Sequence, residues 1–218
     1  MFGRTRARHQ GADEGFLRRW QPPAPCCTWS ALMRHATSFL ACVVAGATLF
    51  SGHVSAEPCS DALPSGLVKH LVKERPGLSV PAMRSLDTAS VEADVRDGGS
   101  GCYVLAHGKF VDATSDAYAF YGVSNNGHPQ LVVAFKIGEG WALENLPTFC
   151  DDVKFCYVRK DGPGWYTRSA ALNSPPVGKN EREEVRSSHD VVVAGHLEST
   201  AVTYAKQGDT WVYVWTSD

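Results

Sequence analysis

The sequence predicts an α+β fold, in which an N-terminal helix packs on a mainly antiparallel, meander-like β-sheet. Apolar residues recur at helical spacing between residues 61 and 75, and from residue 102 onward short apolar segments alternate with turns. Because these segments are joined by few residues, neighbouring strands must run antiparallel, since a parallel pair needs a long crossover. The composition, 44% hydrophobic and 20% charged, excludes a wholly disordered or fibrous chain.

The first 56 residues differ from the rest of the chain and are typical of a signal peptide. They contain six of the 21 basic residues, and an apolar run of twelve residues covers 39–50. Val54-Ser55-Ala56 then places small or branched residues where a cleavage site requires them. A membrane-spanning helix needs about 20 apolar residues, so the run is too short for an anchor. We therefore expect a periplasmic or secreted protein, with no membrane anchor in the mature chain.

The predicted mature domain comprises residues 57–218 and is acidic. Met33-Arg34-His35 would form a normal start of a signal peptide, which predicts that translation begins at Met33 and that residues 1–32 are an upstream extension. Residues 57–218 hold 15 Lys and Arg against 21 Asp and Glu, a net charge of −6. This balance gives no basic surface for nucleic acid and would favour a cationic partner. We find no linker or repeat, so we expect a single domain.

The cysteines predict two disulfides. Three of the seven belong to the predicted leader, and the domain holds the other four: Cys59, Cys102, Cys150 and Cys156. An even number in an exported chain indicates disulfide pairing, and four cysteines allow three arrangements. We favour Cys150–Cys156, across a tight loop, and Cys59–Cys102, which would tie the N-terminal segment to the sheet. The alternative, a four-cysteine metal site, needs close Cys-x-x-Cys pairs, which are absent, so we expect no cofactor.

Two helices are predicted at the start of the domain. Asp61 is a suitable N-cap for the first helix, and Pro76-Gly77 ends the pattern. Its apolar face would consist of Leu63, Leu67, Val68, Leu71 and Val72. Asp87 would cap a second, short helix that extends through Val95.

Strands follow from residue 102 to the C-terminus. Segments rich in aromatic and β-branched residues predict strands at 102–106, 118–123, 131–136, 141–146, 155–159, 190–194, 201–206 and 210–216. Asn125-Asn126-Gly127 predicts a tight hairpin between the second and third of them. Residues 171–188 are polar and contain prolines, so we expect a long surface loop in which the charged residues 181–184 are solvated.

Aromatic residues are the most visible candidates for binding. In the last strand Trp211, Tyr213 and Trp215 alternate with valines, so the three rings share one face. An exposed row would stack on sugar rings or on a partner peptide. We favour a strand covered on both faces, because the valine face is equally apolar. The aromatic residues that we expect to be partly exposed adjoin glycine-containing turns: Trp141, Trp165 and Tyr166.

Residues 108–119 resemble the calcium-binding loop of FG-GAP repeats, in which a glycine and phenylalanine lead through alternate acidic residues to Asp-x-Tyr-Ala at a strand. Of the acidic series only Asp112 and Asp116 are present, and the glycine that permits the sharp turn is missing. Calcium needs several oxygen ligands. The resemblance therefore implies at most a weak calcium site at these two residues.

Residues 100–218 are similar to a set of uncharacterised exported bacterial proteins. The shared features are the Asp-x-Tyr-Ala strand, the segment 140–147 and a C-terminal end of the Val-Trp-x-Ser-Asp type, here Val214-Trp215-Thr216-Ser217-Asp218. The resemblance implies a fold and a compartment. It supplies no activity, so no catalytic residue is carried over from it.

No sequence motif indicates catalysis. Zinc-protease, nucleophile-elbow and phosphate-loop patterns are absent. Two neighbouring pairs, His196/Glu198 and His189/Asp190, would allow a hydrolase if either worked as an acid–base pair. We therefore predict a non-catalytic binding domain whose partner is an envelope or secreted protein. A hydrolase and a weak calcium-binding module are the alternatives.

Overall fold

The computed structural model describes residues 59–217, so the predicted signal peptide and the predicted start at Met33 lie outside the described residues. These described residues contain two α-helices, α1 (Ser65–Glu74) and α2 (Thr88–Arg96). The same residues form eleven strands, of which the first lies between the two helices. In chain order they are β1 (Leu78–Ser79), β2 (Leu105–Gly108), β3 (Ala117–Ser124), β4 (Pro129–Ile137), β5 (Gly140–Leu146), β6 (Cys156–Asp161), β7 (Gly164–Thr167), β8 (Glu184–Ser187), β9 (Val191–His196), β10 (Ala201–Gln207) and β11 (Thr210–Ser217). Neither helix is long and apolar enough to span a membrane.

The predicted α+β class is wrong, because the domain consists mostly of antiparallel β-sheet. Strands account for 42% of the described residues, and the two helices have only ten and nine residues. The apolar strands were predicted to form one sheet with a helix on it. Instead they divide into separate sheets that bury one another, and the helix is a minor outer layer.

The strands form two main sheets and a separate hairpin. In the first sheet β1 and β2 both pair with β3, which is followed by β4 and β5. The second sheet has the order β6-β9-β10-β11, and β7 pairs with β8 alone. All of these strand pairs are antiparallel, as the short connections predicted.

The inner faces of the two main sheets form the central core. Tyr121 and Val133 of the first sheet and Tyr204 of the second are fully buried there. Trp211 and Tyr213 also point into this core, whereas Val212 and Val214 are buried on the opposite face. The prediction that both faces of the last strand are covered is confirmed.

Each main sheet is covered on its outer side by a different element. Leu67 and Leu71 of α1 pack on Phe120 and Val132 of the first sheet. The outer face of the second sheet is covered by the β7–β8 hairpin, which contributes Val185. The result is a sandwich of two sheets between a helix and a hairpin.

Several predicted element boundaries differ from the structure. Asp61 lies in a 3-10 helix, and the N-cap of α1 is Pro64, whose ring leaves no side-chain hydrogen bond to the helix. The Asp87 cap is confirmed, because its carboxylate accepts a hydrogen bond from the Ser90 amide at 3.0 Å. The predicted surface loop 171–188 contains β8, whose partner β7 was not predicted. β8 was missed because its charged residues do not show the apolar alternation of a strand. Its pairing with β7 stabilises it instead.

Both predicted disulfides are confirmed. Cys59 is bonded to Cys102, and Cys150 is bonded to Cys156, with Cα–Cα distances of 5.6 and 5.7 Å. These values are ordinary for disulfides. The first bond fixes the start of the described chain beside β2, and the second closes the connection between β5 and β6.

Candidate functional site

A groove of about 780 Å³ lies where the two main sheets meet. The edge strands β2 and β6 lie next to each other there, and the Val158 amide donates a hydrogen bond to the Tyr103 carbonyl at 2.7 Å. The volume lies within the range of about 300–1,000 Å³ that ligand sites occupy. The groove is therefore the principal candidate site.

One wall of the groove is the glycine-rich segment after α2. Asp94 holds this segment, because its carboxylate accepts a hydrogen bond from the Gly101 amide at 2.7 Å and its carbonyl accepts one from the Gly99 amide at 2.8 Å. Gly98 and Gly101 have φ angles of +89° and +82°, which favour glycine. The wall is thus a fixed turn.

The opposite wall is the turn between β9 and β10. The His196 amide donates to the Thr200 carbonyl at 3.2 Å, and His196 Nδ1 lies 2.9 Å from the Leu197 carbonyl. Glu198, at the tip, has a φ of +60° and its side chain is exposed. This wall presents one imidazole and one carboxylate to the groove.

The floor is held in place by a disulfide and a buried phenol. Cys102 and Tyr103 both line the groove. The Tyr103 hydroxyl donates to the Lys154 carbonyl at 2.5 Å and accepts from the Asp87 amide at 2.8 Å. Burial raises the pKa of Tyr103, so the phenol stays protonated near neutral pH. These bonds give the floor a fixed shape before any ligand binds.

Charged groups of both signs surround this floor. The cationic or basic side chains are His107, Arg159, Lys160 and His196, and the acidic ones are Asp94, Asp97 and Glu198. His107 is stacked on Tyr118 with ring centroids 4.6 Å apart, and its Nε2 lies 3.7 Å from Asp116 Oδ1. A groove with both signs of charge and an apolar floor suits a polar chain such as a polypeptide segment.

The His196/Glu198 pair does not form an acid–base arrangement in the structure. The two residues do not share a strand face, because β9 ends at His196 and Glu198 lies in the following turn. Nδ1 of His196 faces a backbone carbonyl, and the ring stacks on Phe155 at 5.6 Å. Within residues 59–217 no hydrogen bond or ion pair joins His196 to Glu198.

The His189/Asp190 pair is also directed elsewhere. Nδ1 of His189 lies 3.1 Å from the backbone carbonyl of Asp190, not from its carboxylate. That carboxylate accepts a hydrogen bond from the Lys109 amide at 3.0 Å. Asp190 therefore fixes a loop of the first sheet, and no acid–base geometry exists between the two side chains.

The two residues of the FG-GAP-like loop have separate contacts. The Asp112 carboxylate accepts hydrogen bonds at 2.7 Å from the hydroxyls and the amides of Thr114 and Ser115, and these bonds hold the pKa of Asp112 well below its usual range. Asp116 faces His107 instead. In the part of the chain that the structure describes, no cluster of three or more His, Cys, Asp or Glu side chains is placed to hold a metal. Calcium binding here stays a prediction.

The three predicted binding aromatics do not converge. Trp141 is half-buried under α1, where its ring meets Tyr118 edge-on at 6.0 Å. Trp165 is 61% exposed on the hairpin, with the Arg186 guanidinium 5.2 Å from its ring centre. Tyr166 is half-buried, and its hydroxyl donates to the Gly162 carbonyl.

Cys102, His196 and Glu198 line the groove and were candidates from the sequence, but the groove itself was not predicted, because its residues come from four distant segments of the chain. The consecutive cations Arg159 and Lys160 at the end of an apolar strand were the one local signal, since edge strands often carry such charges. Comparisons with protein-family models, with curated proteins and with solved structures find no match to this chain.

Proposed function

We propose that this chain is an exported, non-catalytic binding domain, and that the groove between β2 and β6 holds a segment of a secreted or envelope protein. The observation that carries the proposal is the groove itself, which is large, fixed in shape and lined by charges of both signs. Its titratable groups are spread around the rim rather than joined as an acid–base pair.

The covalent structure supports an exported domain. Two disulfides are typical of proteins that fold in an oxidising compartment. One of them lies directly beneath the groove, so the shape of the site depends on that compartment. The net charge of −6 for residues 57–218 would favour encounter with a cationic partner.

The shape of the groove favours a polypeptide over a small compact ligand. Its lining extends from the segment after α2, across β2 and β6, to the β9–β10 turn, so an extended ligand would contact both walls. Arg159 on the floor and Glu198 on the wall would each attract a group of opposite charge. Orientation and specificity would come from these charges, and most of the contact area from the floor.

Site-directed photo-crosslinking tests this proposal. A photoreactive phenylalanine analogue replaces either Arg159 in the groove or Lys69, which is exposed on α1, and the protein is irradiated in an envelope extract. We expect one partner to be crosslinked from the groove position and not from the α1 position. We also expect Glu198→Lys to reduce this crosslink by at least about tenfold, since close charge pairs steer and hold partners. Equal labelling at both positions would contradict the proposal.

A further inference from the structure

Apart from the two-residue strand β1, the main sheets end in four strands, β2, β5, β6 and β11, and the outer edges of three of them are engaged. The edges of β2 and β6 meet at the hydrogen bond between Val158 and Tyr103. The outer edge of β11 is covered, because the Tyr213 amide donates to the Asn180 carbonyl at 2.9 Å and the Tyr213 carbonyl accepts from the Arg182 amide at 2.9 Å. The fourth edge belongs to β5.

Among residues 59–217, only β4 pairs with β5, and the outer edge of β5 has no backbone partner. β5 is the last strand of the first sheet. Beside the C-terminal half of this strand lies a groove of about 380 Å³ that reaches across to Asn180 and Trp211.

The strand register shows which backbone groups of β5 point outward. The Tyr121 amide bonds to Val104 and the Ser124 amide bonds to His128, so in β3 the odd-numbered amides face β2 and the even-numbered amides face β4. Antiparallel strands alternate in this way along their whole length. The pairing of β4 with β5 then directs the even-numbered residues of β5 toward β4, and leaves three whose N–H and C=O groups point outward: Trp141, Leu143 and Asn145.

This edge lacks several of the features that normally prevent strand pairing, and its one charged residue, Glu144, is paired with Lys206 of the second sheet. Exposed edges are usually interrupted by lysine, proline or a bulge. β5 runs for seven residues in regular register with β4, and it contains no lysine or proline. The residues whose backbone groups point outward are Trp141, Leu143 and Asn145, and the side chains of the first two pack on the side of the sheet that α1 covers. An edge of this kind is suited to pairing with another strand.

We propose that β5 pairs with β5 of a second copy of this chain, antiparallel and around a two-fold axis at Leu143. In this register Leu143 faces its own counterpart and Trp141 faces Asn145 of the other copy. Every outward N–H then meets an outward C=O, because the three positions are symmetric about the axis. The two first sheets join into one continuous sheet.

The charges at the two ends of β5 match this arrangement. Arg75, which ends α1, donates a hydrogen bond to the Asn145 side chain at 3.3 Å. The two-fold register brings Arg75 of one copy to the end where the other copy carries Trp141 and the exposed Glu139. A ring face and a carboxylate both attract a guanidinium group. A second copy therefore fits the edge in charge as well as in hydrogen bonding.

Sedimentation equilibrium tests the proposal directly. We expect the purified protein to show a reversible monomer–dimer equilibrium within a range of about 1 μM to about 1 mM. A single monomeric species over the whole range would overturn the proposal. Photo-crosslinking at the β2/β6 groove reports on a different surface, so failure of either proposal is distinguishable from failure of the other.

A matched pair of variants at Leu143 identifies the strand edge. Leu143→Pro removes the outward N–H and leaves the amides that face β4 intact, so we expect the dissociation constant to rise by at least about 30-fold. Leu143→Ala keeps the N–H, and we expect it to dimerise within about threefold of the unaltered chain. Equal weakening by both variants, or none by the proline variant, would overturn the proposal.

Amide hydrogen exchange of the unaltered chain keeps the test decisive if the proline variant does not fold. We expect the exchange of the Leu143 amide to slow as the protein concentration rises through the dimerisation range. The Ala142 amide, which faces β4, should not change. Exchange at Leu143 that is independent of concentration while the protein dimerises would place the interface elsewhere and overturn the proposal.

Discussion

The strands β11 and β5 end their respective sheets, and they have opposite surroundings. β11 is covered along its outer edge by the segment 180–182 and by Ser169, whose amide donates to the Trp215 carbonyl at 2.8 Å. β5 has only β4 as a backbone partner among the described residues. The difference shows that this fold closes an edge by laying a long connection across it. No connection within residues 59–217 crosses the edge of β5 in this way.

A buried ion pair holds the connection on β11. Arg168 bonds to Glu181, and their side chains are only 9% and 5% exposed. The other carboxylate oxygen of Glu181 accepts from the Val177 and Gly178 amides, each at 3.2 Å. Burial alone would raise the pKa of Glu181, but the hydrogen bonds from Arg168 and these amides, with the Arg168 charge, outweigh it and lower the pKa.

The inner face of β5 is anchored more simply. Glu144 accepts a hydrogen bond from Lys206 Nζ at 2.6 Å and another from the Trp211 indole. Lys206 is 7% exposed, and its ammonium group lies 5.4 Å from the Trp211 ring centre. This contact ties β5 to the second sheet without covering its outer edge.

Removing the long-range disulfide should have the largest effect, and it provides a reference that involves neither edge. The Cys59–Cys102 bond spans 43 residues, so Cys59→Ser with Cys102→Ser should lower the free energy of unfolding by about 4 kcal/mol. The Cys150–Cys156 bond spans six residues, and its removal should cost about 2 kcal/mol. Urea denaturation measures both. Equal losses would show that loop length does not govern them.

Opening the covered edge should come next in size. Glu181→Ala leaves the Arg168 charge buried without a partner, so we expect a loss of about 3 kcal/mol in the free energy of unfolding. The amide of Tyr213 should also exchange faster, because its cover is released. The control is Glu183→Ala, which removes an exposed carboxylate nearby and should change stability by less than about 0.5 kcal/mol. Similar losses in both variants would argue against the role of the ion pair.

Breaking the anchor of β5 should have a smaller effect. Glu144→Ala removes the partner of Lys206, but Glu144 is 34% exposed, so water offsets part of the loss and we expect about 2 kcal/mol. Glu92→Ala, which removes an exposed carboxylate on α2, is the control and should be nearly neutral. A double-mutant cycle with Lys206→Met checks the assignment. A coupling energy near zero would contradict it.

Acid should weaken the covered edge. The folded pKa of Glu181 is below the ordinary value for glutamate, about 4.3, so its contribution is complete above that value and is lost as the pH falls through the folded pKa. We therefore expect the stability difference between the unaltered chain and Glu181→Gln to shrink between pH 6 and pH 3. Urea denaturation across this pH range measures the difference. A difference that stays constant or grows on acidification would rule out this linkage.

Local sequence signals predicted those features that depend on neighbouring residues. The disulfides, the hairpin at residues 125–127, the Asp87 cap and the two buried faces of β11 were all predicted correctly. Each depends on cysteine pairing, turn chemistry, capping or side-chain alternation within a short segment.

Features that depend on tertiary contacts were missed. Glu181 was predicted to be solvated because it lies in a charged run, yet it is buried by Arg168, thirteen residues away. The hairpin partner of β8 and the division of the strands into separate sheets were missed for the same reason. Alternation shows that both strand faces are apolar, but it does not show which element covers each face.

Amide hydrogen exchange at Tyr213 and Leu143 compares the covered edge of β11 with the edge of β5, which has no backbone partner among residues 59–217. The amides of Tyr213 and Leu143 both point away from the neighbouring strand of their own sheet, but within residues 59–217 only that of Tyr213 has a partner beyond it. In monomeric, dilute protein, we predict that Tyr213 exchanges at least about 100-fold more slowly than Leu143, corrected for intrinsic rates. Equal protection of Leu143 and Tyr213 under these conditions would show that the edge of β5 is covered as well.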